Sequence, residues 1–262
     1  MSDDTLRDWL GEPRQPSDPL RAAREASRPP LPKRFYAEAG VTEAEDGHRL
    51  VLDGRPARTP GRRMLAVPQA ALAEALAQEW GAQGEVIDPS RMPLTRIVNT
   101  ALDGVAAQAE AVAADIAAYA GSDLLVYRAG DPERLVARQS AAWDPVLDWA
   151  RQALGARFTL SEGVMHVAQP EGSLAAVARA VGAVDNPLAL TGLHVMTTMT
   201  GSVLLALAVL HRHLTAEAAW EAAHVDETFQ ASVWGRDEEA EVRRAARKVE
   251  FDAAARLVAL TA

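Results

Sequence analysis

Residues 186–211, NPLALTGLHVMTTMTGSVLLALAVLH, contain no Asp, Glu, Lys or Arg. At about 20 residues per span, the stretch is long enough to cross a bilayer, and the fold turns on whether it does. Its polar content argues that it does not, since Asn186, His194, Thr197, Thr198, Thr200 and Ser202 all lie within it. Asn186-Pro187 is a helix entry, with a capping side chain followed by proline at the first helical position. The segments on either side have amphipathic rather than membrane-anchoring patterns. We therefore read one helix over 187–213 as the buried centre of a bundle, apolar all round because it is surrounded, and expect no stable membrane insertion.

The whole chain fits a helical bundle with a small sheet. It has 262 residues, 48% of them hydrophobic, and 54 alanines, which favour closely packed helices over a bulky β-core. Acids outnumber bases 36 to 27, a net charge of −9 that argues against nucleic acid as a partner. With no cysteine, disulfides, thiolate catalysis and Cys-ligated zinc are excluded. Residues 1–34 mix six acids with seven bases and six prolines. Without an apolar run they are not a secretory signal, and they are too acidic for a matrix-targeting peptide, so a bacterial cytoplasmic location is expected. They read as an arm with a short amphipathic piece around Leu6–Leu10.

Residues 35–68 read as β. Asp46-Gly47 and Asp53-Gly54 are hairpin dipeptides bounding Leu50-Val51-Leu52, and Met64–Val67 makes another strand. A helix from Pro68 has Ala73, Leu76, Ala77 and Trp80 on one stripe and stops at Gly81. Val86-Ile87 is expected to return to the sheet. Helices are predicted over 94–103, 105–120, 132–154, 173–182, 187–213, 216–234 and 237–259, with Asp144-Pro145 breaking or kinking the third. Arg157–Leu160 and Val164–Ala168 suggest a late hairpin, and Leu124–Tyr127 is a candidate to rejoin the sheet. The fold class is α+β: an arm (1–34), a β-rich α+β domain (35–93) and a helical domain (94–262).

Motifs for bond-making chemistry are missing. The two lysines, Lys33 and Lys248, follow no glycine-rich loop, and neither Gly-x-Gly-x-x-Gly nor Gly-x-Ser-x-Gly is present. On a helix His211 and His213 point about 200° apart and cannot share a metal. Glu221-x-x-His224 is half of a carboxylate-bridged di-iron motif, which needs a second helical copy. An enzyme built on Glu221, His224 and Glu227 is the alternative reading, and bound metal is its signature. The reading we favour expects neither metal nor cofactor.

Residues 217–241 hold eight acids against Arg236 alone. On one continuous helix Ala218, Ala222, Val225, Phe229 and Val233 form an apolar stripe, the expected core face. Trp220, Glu227 and Trp234 recur every seven residues on a second line about 150° away, two tryptophans bracketing a carboxylate, as at a binding anchor. A helix buried on two sides would place both tryptophans in the core instead. Asp237, Glu238, Glu239 and Glu241 likewise suit either a binding surface or a helix N-terminus followed by bases at i,i+4.

Ordered blocks run through most of the chain: Arg34-Phe35-Tyr36, Leu52-Asp53-Gly54-Arg55, Thr59-Pro60, Gln78-Glu79-Trp80, Met92-Pro93-Leu94-Thr95, Asn99-Thr100-Ala101-Leu102-Asp103, Asp123 with Tyr127-Arg128, Arg138-Gln139, Trp143-Asp144-Pro145 with Trp149, Asp226-Glu227-Thr228-Phe229-Gln230 and Trp234-Gly235. In this order and spacing, over about residues 34–250, the chain resembles the F1-ATPase assembly chaperones that act on the alpha subunit, found in mitochondria and alphaproteobacteria. The resemblance implies a small α+β unit before a larger helical one. It also implies a non-catalytic, ATP-independent role, in which a monomer holds free alpha subunit until beta subunit takes its place. Glu227 matches the family's acidic position before Trp-Gly, and Asp237 and Glu239 follow it. Trp220 and Trp234 complete the expected partner-binding set. Trp80, Asp123, Trp143 and Asp144 are expected to be structural.

Overall fold

Asp53 and Gly54 both adopt positive φ, 48° and 75°, the conformation that a two-residue hairpin demands at both central positions. In the computed structural model, which describes residues 30–261, this turn organises the N-terminal sheet. Strand β1 (Ala39–Ala44) pairs antiparallel with β2 (Gly47–Leu52), in register from Ala39 opposite Leu52 to Ala44 opposite Gly47. Beyond the turn, β3 (Arg55–Pro56) and β4 (Ala66–Val67) pair in succession with the other edge of β2. Helix α1 (Ala70–Gly81) packs on β1 and β2, burying Leu72, Ala73, Ala75 and Leu76. Val86 makes one isolated bridge, to Lys33, rather than the expected strand. The piece expected around Leu6–Leu10 lies outside the described residues.

Helices dominate from residue 93. They are α2 (Pro93–Asp103), α3 (Ala109–Ala118), α4 (Glu133–Trp149), α5 (Glu171–Gly182), α6 (Pro187–Thr200), α7 (Val203–Leu210), α8 (Ala216–Ala223), α9 (Val225–Trp234) and α10 (Glu238–Thr261). Pro145 does not break α4. The proline and Ala141, whose carbonyl it leaves without an amide partner, are both on the exposed side, where that oxygen is open to solvent. The late hairpin does not form. Instead β5 (Tyr127–Arg128) pairs in parallel with β6 (Ser161–Glu162), so residues 124–127 do not rejoin the first sheet.

The stretch 187–213 is two helices. Gly201 takes a left-handed conformation (φ 70°), and the Ser202 hydroxyl then caps α7 by accepting from the Leu205 amide at 3.0 Å. Among the described residues no helix is long and apolar enough to cross a membrane. Helix α6 lies at the centre, against α2, α3, α7 and α10. It meets α10 at Gly192, where an added Cβ would lie 2.7 Å from Val258 Cγ2 and 2.9 Å from the Ala254 carbonyl oxygen. A continuous core runs from Leu50 and Leu72 through Leu193 and Leu204 to Phe251 and Val258, so sheet and bundle share their apolar centre.

Candidate functional site

The acidic segment falls on α8, α9 and the start of α10, and its geometry turns on His224. Its ring Nδ1–H donates to the Trp220 carbonyl at 2.8 Å, taking the acceptor that its own amide would use in a continuing helix. The His224 amide turns to the Glu221 carbonyl instead, and the backbone at 224 leaves helical geometry (φ −118°). Burial lowers the His224 pKa from the ordinary imidazole value, favouring the neutral ring, which lies against Trp220 with 4.0 Å between centroids and the planes tilted by 38°.

This break corrects the helical stripe read across 216–234, because the rotation accumulated in α8 does not carry into α9. Helix α8 buries Ala219, Trp220, Ala222 and Ala223, whereas α9 has no fully buried residue. Val233, expected in the core, is exposed, and Phe229 is half-buried under the Arg138 guanidinium, 5.3 Å from the ring centroid. Trp220 and Trp234 part company. Trp220 is 2% exposed, packed between His224 and Phe251, and is a core residue rather than a surface anchor. Trp234 is 86% exposed at the tip of α9.

Around Trp234 the charges divide. Asp237 caps α10, its Oδ1 accepting from the amides of Glu239 and Ala240 at 2.9 and 3.3 Å. Glu239 pairs with Arg243 at 3.3 Å and Glu241 with Arg236 at 3.5 Å, both in solvent. Asp237 and Glu239 thus have local duties in building the helix start. Glu227 is exposed and makes no ion pair among the described residues. The metal reading finds no support: Glu221 and Glu227 sit on different helices, His224 commits Nδ1 to a carbonyl, and no cluster among the described residues is placed to hold a metal.

What fixes α9 to the body was missed in the sequence. Gln139 on α4 is buried and bonds in two directions. Its carbonyl oxygen accepts from the Ala129 amide and its NH2 donates to Asp226 Oδ1, both at 2.8 Å. The signal was a glutamine on the buried face of α4, in line with Trp143, Val146 and Ala150. Arg244 on α10 donates to Thr228 Oγ1 at 3.1 Å, completing the attachment.

Other block residues are fasteners. Trp143 Nε1 donates to the Ala222 carbonyl at 2.7 Å, locking α4 to α8, while Asp144 pairs with Arg128 at 2.8 Å. Asp123 is fully buried and accepts from the amides of Leu125 and Leu204 at 3.0 and 3.1 Å, joining the turn before β5 to the start of α7. Its burial pushes the carboxyl up to about 6 against the lowering effect of these donors. Trp80 sits half-buried where α1 meets Tyr36, its carbonyl accepting from the Tyr36 hydroxyl at 2.8 Å.

The chain matches the ATP12 chaperone protein family over residues 33–151. A crystal structure of a protein from Agrobacterium tumefaciens superposes with a TM-score of 0.86 at 49% identity, covering 99% of this chain and 96% of that one. The crystal structure of ATP12 from Paracoccus denitrificans superposes with a TM-score of 0.82 at 44% identity, covering 88% of this chain and 99% of that one. A mutant of the Paracoccus protein gives the same TM-score and identity. The α+β order of a small strand region before a mostly helical part is the one these structures share. This chain belongs to the ATP12 chaperone family, a family of chaperones rather than enzymes.

Proposed function

We propose that the protein acts in F1-ATPase assembly by binding free alpha subunit through α9 and the start of α10, holding it without ATP until beta subunit displaces it. The observation that carries this reading is Trp234, 86% exposed on a helix with no fully buried residue, with the unpaired Glu227 on the same helix. A folded chain keeps so large an apolar ring in water at a cost, and Trp is enriched at binding hot spots. A subunit lacking its neighbour exposes apolar contact area that aggregates, and covering it requires only differential affinity. Release follows by mass action when a tighter partner arrives, so no fuel is required. In this reading Trp234 supplies the apolar contact, Glu227 sets register and encounter rate, and Asp237 and Glu239 shape the helix start that presents them.

The test is light scattering of isolated alpha subunit on dilution from denaturant, with equimolar protein and no nucleotide. Suppression is expected with the wild type and is lost with Trp234→Ala. Scattering that wild-type protein leaves unchanged would overturn the proposal.

A further inference from the structure

Far along the sequence from the acidic helices, residues 55–63, just past the hairpin turn, carry the opposite charge. Arg55, Arg58, Arg62 and Arg63 fall within nine residues, all are exposed, and none makes an ion pair among the described residues. In a chain of net charge −9 these four arginines are a concentrated basic patch, tempered by Asp53 beside Arg55 and by Asp103 at the Thr59–Gly61 loop. Both of these acids are engaged with backbone amides as well, Asp103 with that of Gly61 at 2.7 Å and Asp53 with two. The Asp53 Oδ1 accepts from the amides of Glu38 and Ala37 at 2.8 and 3.0 Å, and these bonds, with the charges of Arg34 and Arg55, hold its carboxyl below the ordinary range.

Arg55 and Arg58 stand on the rim of an open cleft lined also by Phe35, Tyr36, Leu52 and Trp80. Phe35 is 73% exposed, edge-on to Tyr36 with 5.4 Å between centroids, and Tyr36 in turn contacts Trp80 at 5.7 Å. The cleft is set before any ligand arrives. The Tyr36 hydroxyl is tied to the Trp80 carbonyl, and Arg34, 4.6 Å above the Tyr36 ring, donates to the carbonyls of Tyr36, Ala37 and Gln83. Aromatic walls under arginine rims are the composition of protein-recognition surfaces, where the ring supplies area and the guanidinium a directed fork.

We infer that this cleft binds an acidic polypeptide segment, with an apolar or aromatic side chain seated against Phe35 and Trp80 and flanking carboxylates on Arg55 and Arg58. Charge complementarity selects the occupant. A basic peptide is repelled by Arg55 and Arg58, and a nucleic-acid strand, with a phosphate at every nucleotide, meets more repulsion from Asp53 and the net −9 chain than a segment bearing a few carboxylates. The inference rests on the client-binding reading for the bearer of that segment, the client itself. The protein then holds its client at two sites of opposite sign, α9–α10 against a basic surface and the cleft against an acidic one, which fixes one orientation.

The experiment uses the full chain and a short labelled peptide with Asp and Glu flanking one Phe, followed by fluorescence anisotropy. Saturable binding is expected. It should weaken about tenfold or more in Arg55→Glu/Arg58→Glu, weaken in Phe35→Ala, and fall as salt rises from about 50 to about 300 mM. Trp234→Ala should bind this peptide as wild type does, so failure of the α9–α10 reading leaves the result intact. Arg58 also donates to the Arg62 carbonyl at 2.9 Å. Should its replacement disturb the loop by circular dichroism, Arg55→Glu alone asks the same question of the cleft. Absence of binding, equal binding to the Lys-for-acid peptide or to oligothymidylate, or binding indifferent to these variants would overturn the assignment. So would a peptide competed away by self-association of the protein, since the cleft's occupant would then be a second copy.

Discussion

Glu79, near the end of α1, caps α2 from outside through Thr95: its Oε2 accepts from the Thr95 amide at 2.7 Å and from the Thr95 hydroxyl at 2.8 Å, while Oε1 takes the Leu94 amide at 2.9 Å. Helix α2 begins at Pro93, so its first free amides lack partners within the helix, and Met92 at the cap position supplies no side-chain bond. A carboxylate from another helix fills the vacancy where the helix dipole favours negative charge. At the far end, Asp103 accepts from the Thr59 hydroxyl at 2.6 Å and the Gly61 amide at 2.7 Å. Both ends of α2 are thus fastened to the strand region. Glu79→Ala strands buried amides and should cost about 2–3 kcal/mol in urea unfolding, with Glu79→Gln losing less. A cost under about 0.5 kcal/mol would mean that the contact carries no stability.

Asp123 makes stability depend on pH in an unusual sense. Burial raises its carboxyl from 3.8 to about 6, so between those values the folded chain holds a proton that the unfolded chain has released. Stability from this group therefore rises as pH falls from about 6 towards 4, the reverse of a paired carboxylate. From pH 7.5 to 5.0 the gain should be about 1 kcal/mol, and Asp123→Asn should abolish it. His224 opposes it, because its lowered pKa means the unfolded chain takes up a proton before the folded one does as pH falls through the ordinary imidazole range. The difference between wild type and Asp123→Asn, measured by urea unfolding at both pH values, isolates the aspartate. Parallel curves would refute its role.

Two tryptophans with similar-looking motifs should respond differently to loss of the indole nitrogen. Trp143 is buried and donates to the Ala222 carbonyl at 2.7 Å, whereas Trp80 Nε1 is buried with no acceptor. Trp143→Phe leaves that carbonyl unpaired in the core and should cost about 2–3 kcal/mol. Trp80→Phe removes a donor that was already unsatisfied, so only packing is lost and the cost should be smaller by about 1 kcal/mol. Chemical denaturation of the two variants decides the order.

Local signals carried much of the architecture. Asp53-Gly54 announced its turn, Asn186-Pro187 its helix, and the absence of charge over 186–211 the buried centre, because each rests on backbone preference or burial within a few residues. The errors arose where a distant group intervened. The single helix read over 187–213 divides at Gly201, where Leu124 and Asp123 bind the chain at 201–204 from outside. At His224 a ring hydrogen bond broke a helix whose periodicity was intact, and the faces of Trp220 and Trp234 separated with it. Gln139 illustrates the same limit in the site. Its place one turn before Trp143 is in the sequence, but its two partners, at positions 129 and 226, are not.

That separation of Trp220 from Trp234 yields the sharpest comparison for the proposed client surface. Trp220 packs on His224 and Phe251 beneath α10, so Trp220→Ala should destabilise the protein by about 3–5 kcal/mol and lose chaperone activity only by unfolding. Trp234 touches solvent over most of its area, so Trp234→Ala should change stability by less than about 0.5 kcal/mol. Yet it should abolish suppression of alpha-subunit aggregation at temperatures where the variant is fully folded. Glu227→Lys should fall between, keeping the fold while weakening capture most at low salt, because an unpaired surface charge acts on encounter through a screened field. A Trp234→Ala protein that melts with wild type and still protects alpha subunit would remove α9 from the binding surface, whatever the acidic residues do.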